Sequence, residues 1–239
     1  MAGLFCAVDT PDIARALDLA KSLGALPVDY KLGLEFFTAL GPQGVRQFYD
    51  EMPQQRRLFL DLKLHDIPNT VAAAVRSVLS LPVQYLTLHA GGGFEMLQAA
   101  EQANQATSAK LGREPLRLLA VTVLTHLQDD ALIDIGFSRT VQDQVLHLAD
   151  MALRAGIGGL VCAGSDVAIL RKKFGRQIHL VTPGIRLPQD AAADQKRIMT
   201  PSMALAAGAN DLVVGRPITA ASDPAAASKG ILQDMYLGS

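Results

Sequence analysis

Short apolar runs recur along this chain, each closed by a polar or glycine break and followed by a segment with helical spacing. Eight of them read as strands: Leu4–Val8, Val28–Leu32, Leu58–Leu64, Tyr85–His89, Arg117–Leu124, Gly159–Ala163, His179–Thr182 and Asp211–Gly215. Between them Val45, Phe48, Tyr49 and Met52 recur at i, i+3, i+4 and i+7, and Val141, Val145, Leu148, Ala149 and Ala152 continue the same pattern. Val71, Val75, Val78 and Leu79 follow it approximately, in a helix expected from Val71 to Leu81. Each helix therefore has one face to bury. Near-continuously apolar strands imply cover on both sides, as in a parallel sheet, and eight β-α units in 239 residues is the size of a (β/α)8 barrel. A doubly wound open sheet would usually carry a glycine-rich turn after the first strand, whereas here that turn is Asp9-Thr10-Pro11-Asp12. No linker, charge block or low-complexity tract divides the chain. The expectation is an α/β fold, a (β/α)8 TIM barrel with residues 1–239 in a single domain.

Composition narrows the partners. With 22 basic and 23 acidic residues scattered along the chain, the formal net charge is -1, which argues against nucleic acid or an anionic membrane surface and favours a small molecule. Cys6 and Cys162 each sit inside an apolar run, which makes them buried hydrophobes rather than a disulfide and fits a reducing compartment. The first residues carry no basic leader, and no apolar run approaches the roughly 18 residues of a membrane span. A soluble, cytoplasmic protein is expected.

In a barrel, functional groups gather at the carboxyl ends of the strands. Here those ends supply Asp9, Lys31, Asp61, Lys63, His89, Thr125, Arg186 and the pair Gly215-Arg216. The densest stretch is Asp61-Leu62-Lys63-Leu64-His65-Asp66-Ile67-Pro68-Asn69-Thr70. On an extended chain Asp61 and Lys63 share a face, with Leu60, Leu62 and Leu64 opposite. Asp66 lies past the strand, before a proline suited to a first helical turn, so its carboxylate need not point where the first two do. With Lys31, the stretch offers two ammonium and two carboxylate groups near one barrel mouth, where alternating signs keep one another ionised. An ion-pair network that merely caps the barrel would use the same residues.

A second constellation, Val213-Val214-Gly215-Arg216-Pro217-Ile218-Thr219, suits a phosphate: a glycine that bares its backbone N–H, an arginine fork, and the position after the eighth strand where barrels commonly bind phosphate. The connection before it, from Gly184 to about Thr200, is long and carries Arg186, Gln195, Lys196 and Arg197, which marks it as a closing lid or a solvated loop. His65, His89 and His126 fall near strand ends where a barrel hydrolase could bind a metal. No H-x-H pair follows the first strand, however, so hydrogen bonding around the site is favoured over ligation, and His179, at a strand start, is read as structural.

The Asp61–Thr70 stretch resembles the signature of the orotidine 5′-phosphate decarboxylase family, bacterial type. The likeness continues through Ala7-Val8-Asp9, Tyr30-Lys31-Leu32-Gly33, Val121-Thr122-Val123-Leu124-Thr125, Thr182-Pro183-Gly184-Ile185-Arg186, Asp194-Gln195-Lys196-Arg197 and Val214-Gly215-Arg216-Pro217-Ile218. What the resemblance implies is a homodimeric barrel that converts orotidine 5′-phosphate to uridine 5′-phosphate (UMP) and carbon dioxide, the last step of de novo UMP synthesis, with no metal or organic cofactor. It implies Lys63 as proton donor to C6 within a network of Lys31, Asp61, Lys63 and Asp66. Asp66, Ile67 and Thr70 would reach the partner subunit's site. Asp9 and Lys31 would bind the ribose hydroxyls, Thr125 the pyrimidine, and Arg186, Gln195, Gly215 and Arg216 the phosphate end. Other readings of the same residues are a metal-dependent sugar-phosphate decarboxylase, a non-catalytic nucleotide-binding barrel, and a Schiff-base aldolase using Lys63 or Lys31.

Overall fold

A computed structural model of the chain describes residues 2–186 and 199–237. Eight strands, β1 (Gly3–Val8), β2 (Val28–Leu32), β3 (Leu58–Leu64), β4 (Tyr85–His89), β5 (Arg117–Val121), β6 (Gly159–Val161), β7 (His179–Pro183) and β8 (Asp211–Val214), pair in parallel in chain order, and β8 closes on β1. Outside this barrel lie α1 (Ile13–Leu23), α2 (Leu34–Glu51), α3 (Pro68–Val78), α4 (Phe94–Leu111), α5 (Asp129–Asp134), α6 (Val141–Arg154), α7 (Val167–Phe174), α8 (Pro201–Ala207), α9 (Arg216–Thr219) and α10 (Pro224–Leu237). The expected (β/α)8 TIM barrel is thus the observed fold.

Alternation along the strands separates two cores. Leu4, Cys6, Val8, Val28, Tyr30, Leu58, Leu60, Leu86 and Leu88 face outward and pack beneath the helices. Phe5, Ala7, Phe59, Tyr85, Leu119, Val181 and Val213 fill the barrel itself. Every inward position is odd-numbered, so Asp9, Lys31, Asp61, Lys63, Thr87, His89 and Gly215 continue the inner rows toward the carboxyl ends. One parity thereby carries both the plug and the chemistry.

The amino-terminal end of the barrel is closed by aromatic and ionic contacts. Phe5 meets Phe59 and Tyr85 edge-on, with ring centroids 5.7 and 5.2 Å apart. Arg57 donates to Asp29 at 2.9 and 2.6 Å and to the Tyr85 hydroxyl at 2.8 Å. Tyr85 in turn donates to Asp211, whose carboxylate also takes Gly3 N–H at 2.9 Å and lies 2.7 Å from His179 Nε2. Burial pushes the Asp211 carboxyl up, but His179, Arg57 and the Gly3 amide outweigh it and hold the group below its ordinary value of 3.8. A depressed carboxylate contributes stability that is present above the unfolded pKa and lost as pH falls through the folded one. Asp211→Asn is therefore expected to cost about 3 kcal/mol at neutral pH. The gap from wild type should narrow below about pH 4. Thermal melts of both proteins across that range check this, and a gap unchanged by acid would contradict it.

The structure corrects some element bounds. β5 stops at Val121 and β6 at Val161, short of the expected Leu124 and Ala163. Apolar residues continue beyond them, but the ladder ends with single bonds from Thr122 N–H to Val161 O and from Cys162 N–H to Val181 O. β8 ends at Val214, with Gly215 already the cap of α9. The helix expected from Val71 to Leu81 runs instead from Pro68 to Val78. Pro68 occupies the first turn, where no N–H is needed, and Ile67 caps it.

Candidate active site

β3 does not simply run out into a turn. Leu60 pairs with Leu86 and Leu64 with Leu88, so four steps along β3 face two along β4. The excess is a bulge over Asp61, Leu62 and Lys63, the kind of irregularity that re-aims side chains at a barrel rim. Lys63 has φ 50°, the only positive value for a non-glycine among the described residues. For an L-residue this costs about 1–2 kcal/mol. The lost ladder bond is replaced: Lys63 N–H donates to Thr87 Oγ1 at 2.9 Å.

The bulge brings the charges together. Lys63 Nζ lies 2.9 Å from Asp61 Oδ1, and Lys31 Nζ lies 3.3 Å from Asp61 Oδ2 and 3.4 Å from Asp9 Oδ1. Thr87 Oγ1 donates to Asp61 Oδ1 at 2.9 Å. Gly33 makes room for this chain, because a Cβ there would sit 2.6 Å from Asp9 Oδ1 and 3.1 Å from Lys31 Nζ. Burial pushes the Asp61 carboxyl up, but the Lys31 and Lys63 ammonium groups, with hydrogen bonds from Lys63 and Thr87, outweigh it and hold the carboxyl below its usual range. Asp61 is therefore ionised at neutral pH, with both lysine side chains within ion-pair distance of its carboxylate.

Of the four charged groups expected in one array, Lys31, Asp61 and Lys63 meet, and Asp9 joins them through Lys31. Asp66 does not. It is exposed, its carboxylate accepts the Ile67 N–H at 2.7 Å, and it pairs with no cation among the described residues. Ile67, 66% exposed, and Thr70 likewise face outward on this side of the chain.

Lys31, Asp61, Lys63 and Thr125 line a cavity of about 210 Å³ whose other walls are apolar: Phe59, Val121, Val123, Leu124, Val161, Cys162, Pro183 and Val213. It is a charged edge on a dry wall. The Cys162 thiol in that wall is no nucleophile, since burial pushes it up to about 12. A second, open depression of about 340 Å³ is lined by Arg186, Arg216, Pro217, Ala220 and Ala221. No carboxylate among the described residues pairs with either guanidinium. Gln195, Lys196 and Arg197 fall outside the described residues, and with them most of the expected lid.

The His65 and His89 rings stand 5.5 Å apart at the end of β4. Burial, His65 and Lys63 lower the His89 pKa, so His89 is neutral at neutral pH. Among the described residues no group of three His, Cys, Asp or Glu side chains has the spacing to hold a metal ion. Thr87 is the site residue that sequence reasoning missed, although a polar residue two places before His89 on an inward row was the available signal.

The family model described as "Orotidine 5'-phosphate decarboxylase / HUMPS family" matches residues 3–231. An orotidine 5'-phosphate decarboxylase of Paramagnetospirillum magneticum is 47% identical over 98% of this chain and 98% of its own length, and one of Moorella thermoacetica is 44% identical over 98% and 92%. The crystal structure of orotidine 5'-phosphate decarboxylase from Lactobacillus acidophilus superposes with a TM-score of 0.86 at 34% identity, covering 98% of this chain and 99% of that one. With a barrel whose mouth carries the Lys31–Asp61–Lys63 ion chain and a family match over nearly its whole length, the chain belongs to the orotidine 5′-phosphate decarboxylase / HUMPS family.

Proposed function

We propose that this chain is an orotidine 5′-phosphate decarboxylase, one catalytic domain that converts its substrate to UMP and carbon dioxide without metal or organic cofactor. The observation that carries this reading is the Lys31–Asp61–Lys63 ion chain on the edge of an otherwise apolar cavity. Breaking the bond from C6 to the carboxylate leaves an electron pair in an in-plane orbital that the ring does not delocalise as an ordinary enolate. A fixed ammonium beside that carbon stabilises the developing charge, and the dry wall strengthens the interaction. Lys63 Nζ then gives its proton to C6, the electron pair becomes the C–H bond, and the neutral amine recovers a proton from solvent.

Asp61 holds and aims the Lys63 side chain through their 2.9 Å ion pair. It would also repel the substrate carboxylate, by about 4 kcal/mol for unit charges at 4 Å and an effective dielectric of 20. Asp9 and Lys31 hold the ribose hydroxyls and Thr125 the pyrimidine. Arg186, Gly215 and Arg216, with Gln195, hold the phosphate. Phosphate contacts far from C6 lower the barrier by stabilising the closed site. Asp66, Ile67 and Thr70, exposed on the single chain, complete the site of a second copy in a homodimer.

The pattern Asp61-x-Lys63-x-x-Asp66 also suits a metal-dependent sugar-phosphate decarboxylase of a similar barrel, although the continuation Ile67-Pro68-Asn69-Thr70 favours the nucleotide. Product analysis tests the proposal: one UMP and one carbon dioxide should appear per orotidine 5′-phosphate consumed. Tight UMP binding without consumption of any orotate nucleotide would select a non-catalytic barrel instead. Arg216→Ala is expected to weaken UMP binding by on the order of 10- to 100-fold while leaving uridine binding unchanged. Equal losses for both would contradict the phosphate role.

A further inference from the structure

The geometry points to Thr87 as the positioning residue that fixes Lys63 against Asp61. This rests on the decarboxylase reading and adds a residue to it. Thr87 is fully buried, its side chain on the inner row of β4 between Tyr85 below and His89 above. Its hydroxyl makes two bonds of 2.9 Å, accepting the Lys63 N–H and donating to Asp61 Oδ1. That same carboxylate oxygen takes the Lys63 ammonium at 2.9 Å. Backbone nitrogen and side-chain nitrogen of Lys63 are thus both tied, one directly and one through Asp61, to a single oxygen on the neighbouring strand.

The arrangement has a physical purpose. Lys63 sits in a bulge with a left-handed backbone that lysine does not favour, and its N–H has left the regular ladder. Without an acceptor that N–H would be unpaired in the barrel wall, and the bulge would have a second way to fold. Thr87 removes that choice. It also spends its one O–H on Asp61, which leaves Asp61 Oδ2 to Lys31 and sets which oxygen each lysine meets. A valine here would have nearly the same shape and neither bond.

The readouts separate positioning from simple packing. Thr87→Val should lower kcat for orotidine 5′-phosphate by on the order of 10- to 100-fold, with KM changed by less than about threefold. Asp61 is faced by Lys31 from β2, by Lys63 from its own strand, by Thr87 and, farther off, His89 from β4, with Asp9 of β1 acting through Lys31. Removing the hydroxyl deletes a bond to its charged form, so the acid limb of the kcat/KM profile should move to higher pH. Thr87→Ser keeps the oxygen and should restore both kcat and the acid limb. Should Thr87→Val fail to fold by circular dichroism, Thr87→Ala, which also lacks the hydroxyl, is measured against Thr87→Ser in its place. If the valine or alanine variant keeps wild-type kcat, or if kcat falls with an unmoved pH profile and serine does not restore it, Thr87 has no positioning role. Wild-type protein that fails to turn over the substrate would instead overturn the decarboxylase reading, and this inference with it.

Discussion

Lys63→Ala is expected to remove turnover of orotidine 5′-phosphate by on the order of 10⁴-fold or more. Two losses combine: a positioned general acid contributes about 10²–10⁴-fold, and one preorganised charge at a developing anion about 10²–10³-fold. UMP binding should stay measurable, since the phosphate and ribose contacts assigned to Arg186, Arg216, Asp9 and Lys31 are untouched. The change also leaves Asp61 with Lys31 as its remaining ammonium partner, 3.3 Å away, so the fold keeps a paired carboxylate at this depth. Steady-state turnover together with calorimetric titration of UMP checks both halves. Near-wild-type turnover in the variant would exclude Lys63 as the proton donor, and loss of UMP binding along with turnover would mean that the residue holds the site together rather than acting in it.

The second large effect tests the proposed dimer. Asp66→Ala should be nearly as damaging as Lys63→Ala, although on the single chain Asp66 is exposed and unpaired with any described cation. If Asp66 serves the partner's site, mixing the two inactive variants should restore activity. Each mixed dimer then has one site with both defects and one with neither. Random reassortment therefore restores up to about a quarter of the wild-type sites. Turnover after mixing, with subunit exchange shown independently by native mass spectrometry, is the measurement. No recovery despite exchange would place Asp66 outside any shared site.

Much of this was legible in the sequence because a parallel barrel writes its inner and outer faces in alternate residues. The apolar runs marked all eight strands, and Asp61, Lys63 and Lys31 fell on the inward parity without further help. The bulge did not show, since no glycine or proline marks it and the strain is borne by a lysine. Thr87 was missed because an uncharged residue in an apolar run reads as filler until the broken ladder creates a donor for it. The polar contacts closing the amino-terminal end, Arg57 with Asp29 and Asp211 with His179, lie at or beside strand starts, the end of a barrel where charge signals stability. His179 meets the Asp211 carboxylate there at 2.7 Å. Asp66 and Ile67 illustrate a different limit. Their exposure is plain, and the single chain alone does not assign it a role.

The most direct measurement is the absorbance change as orotidine 5′-phosphate is consumed by the wild-type protein, followed with and without excess chelator. Cofactor-free chemistry at Lys63 requires the same rate in both. No loss of absorbance, or a loss that chelator abolishes and added magnesium restores, would contradict it.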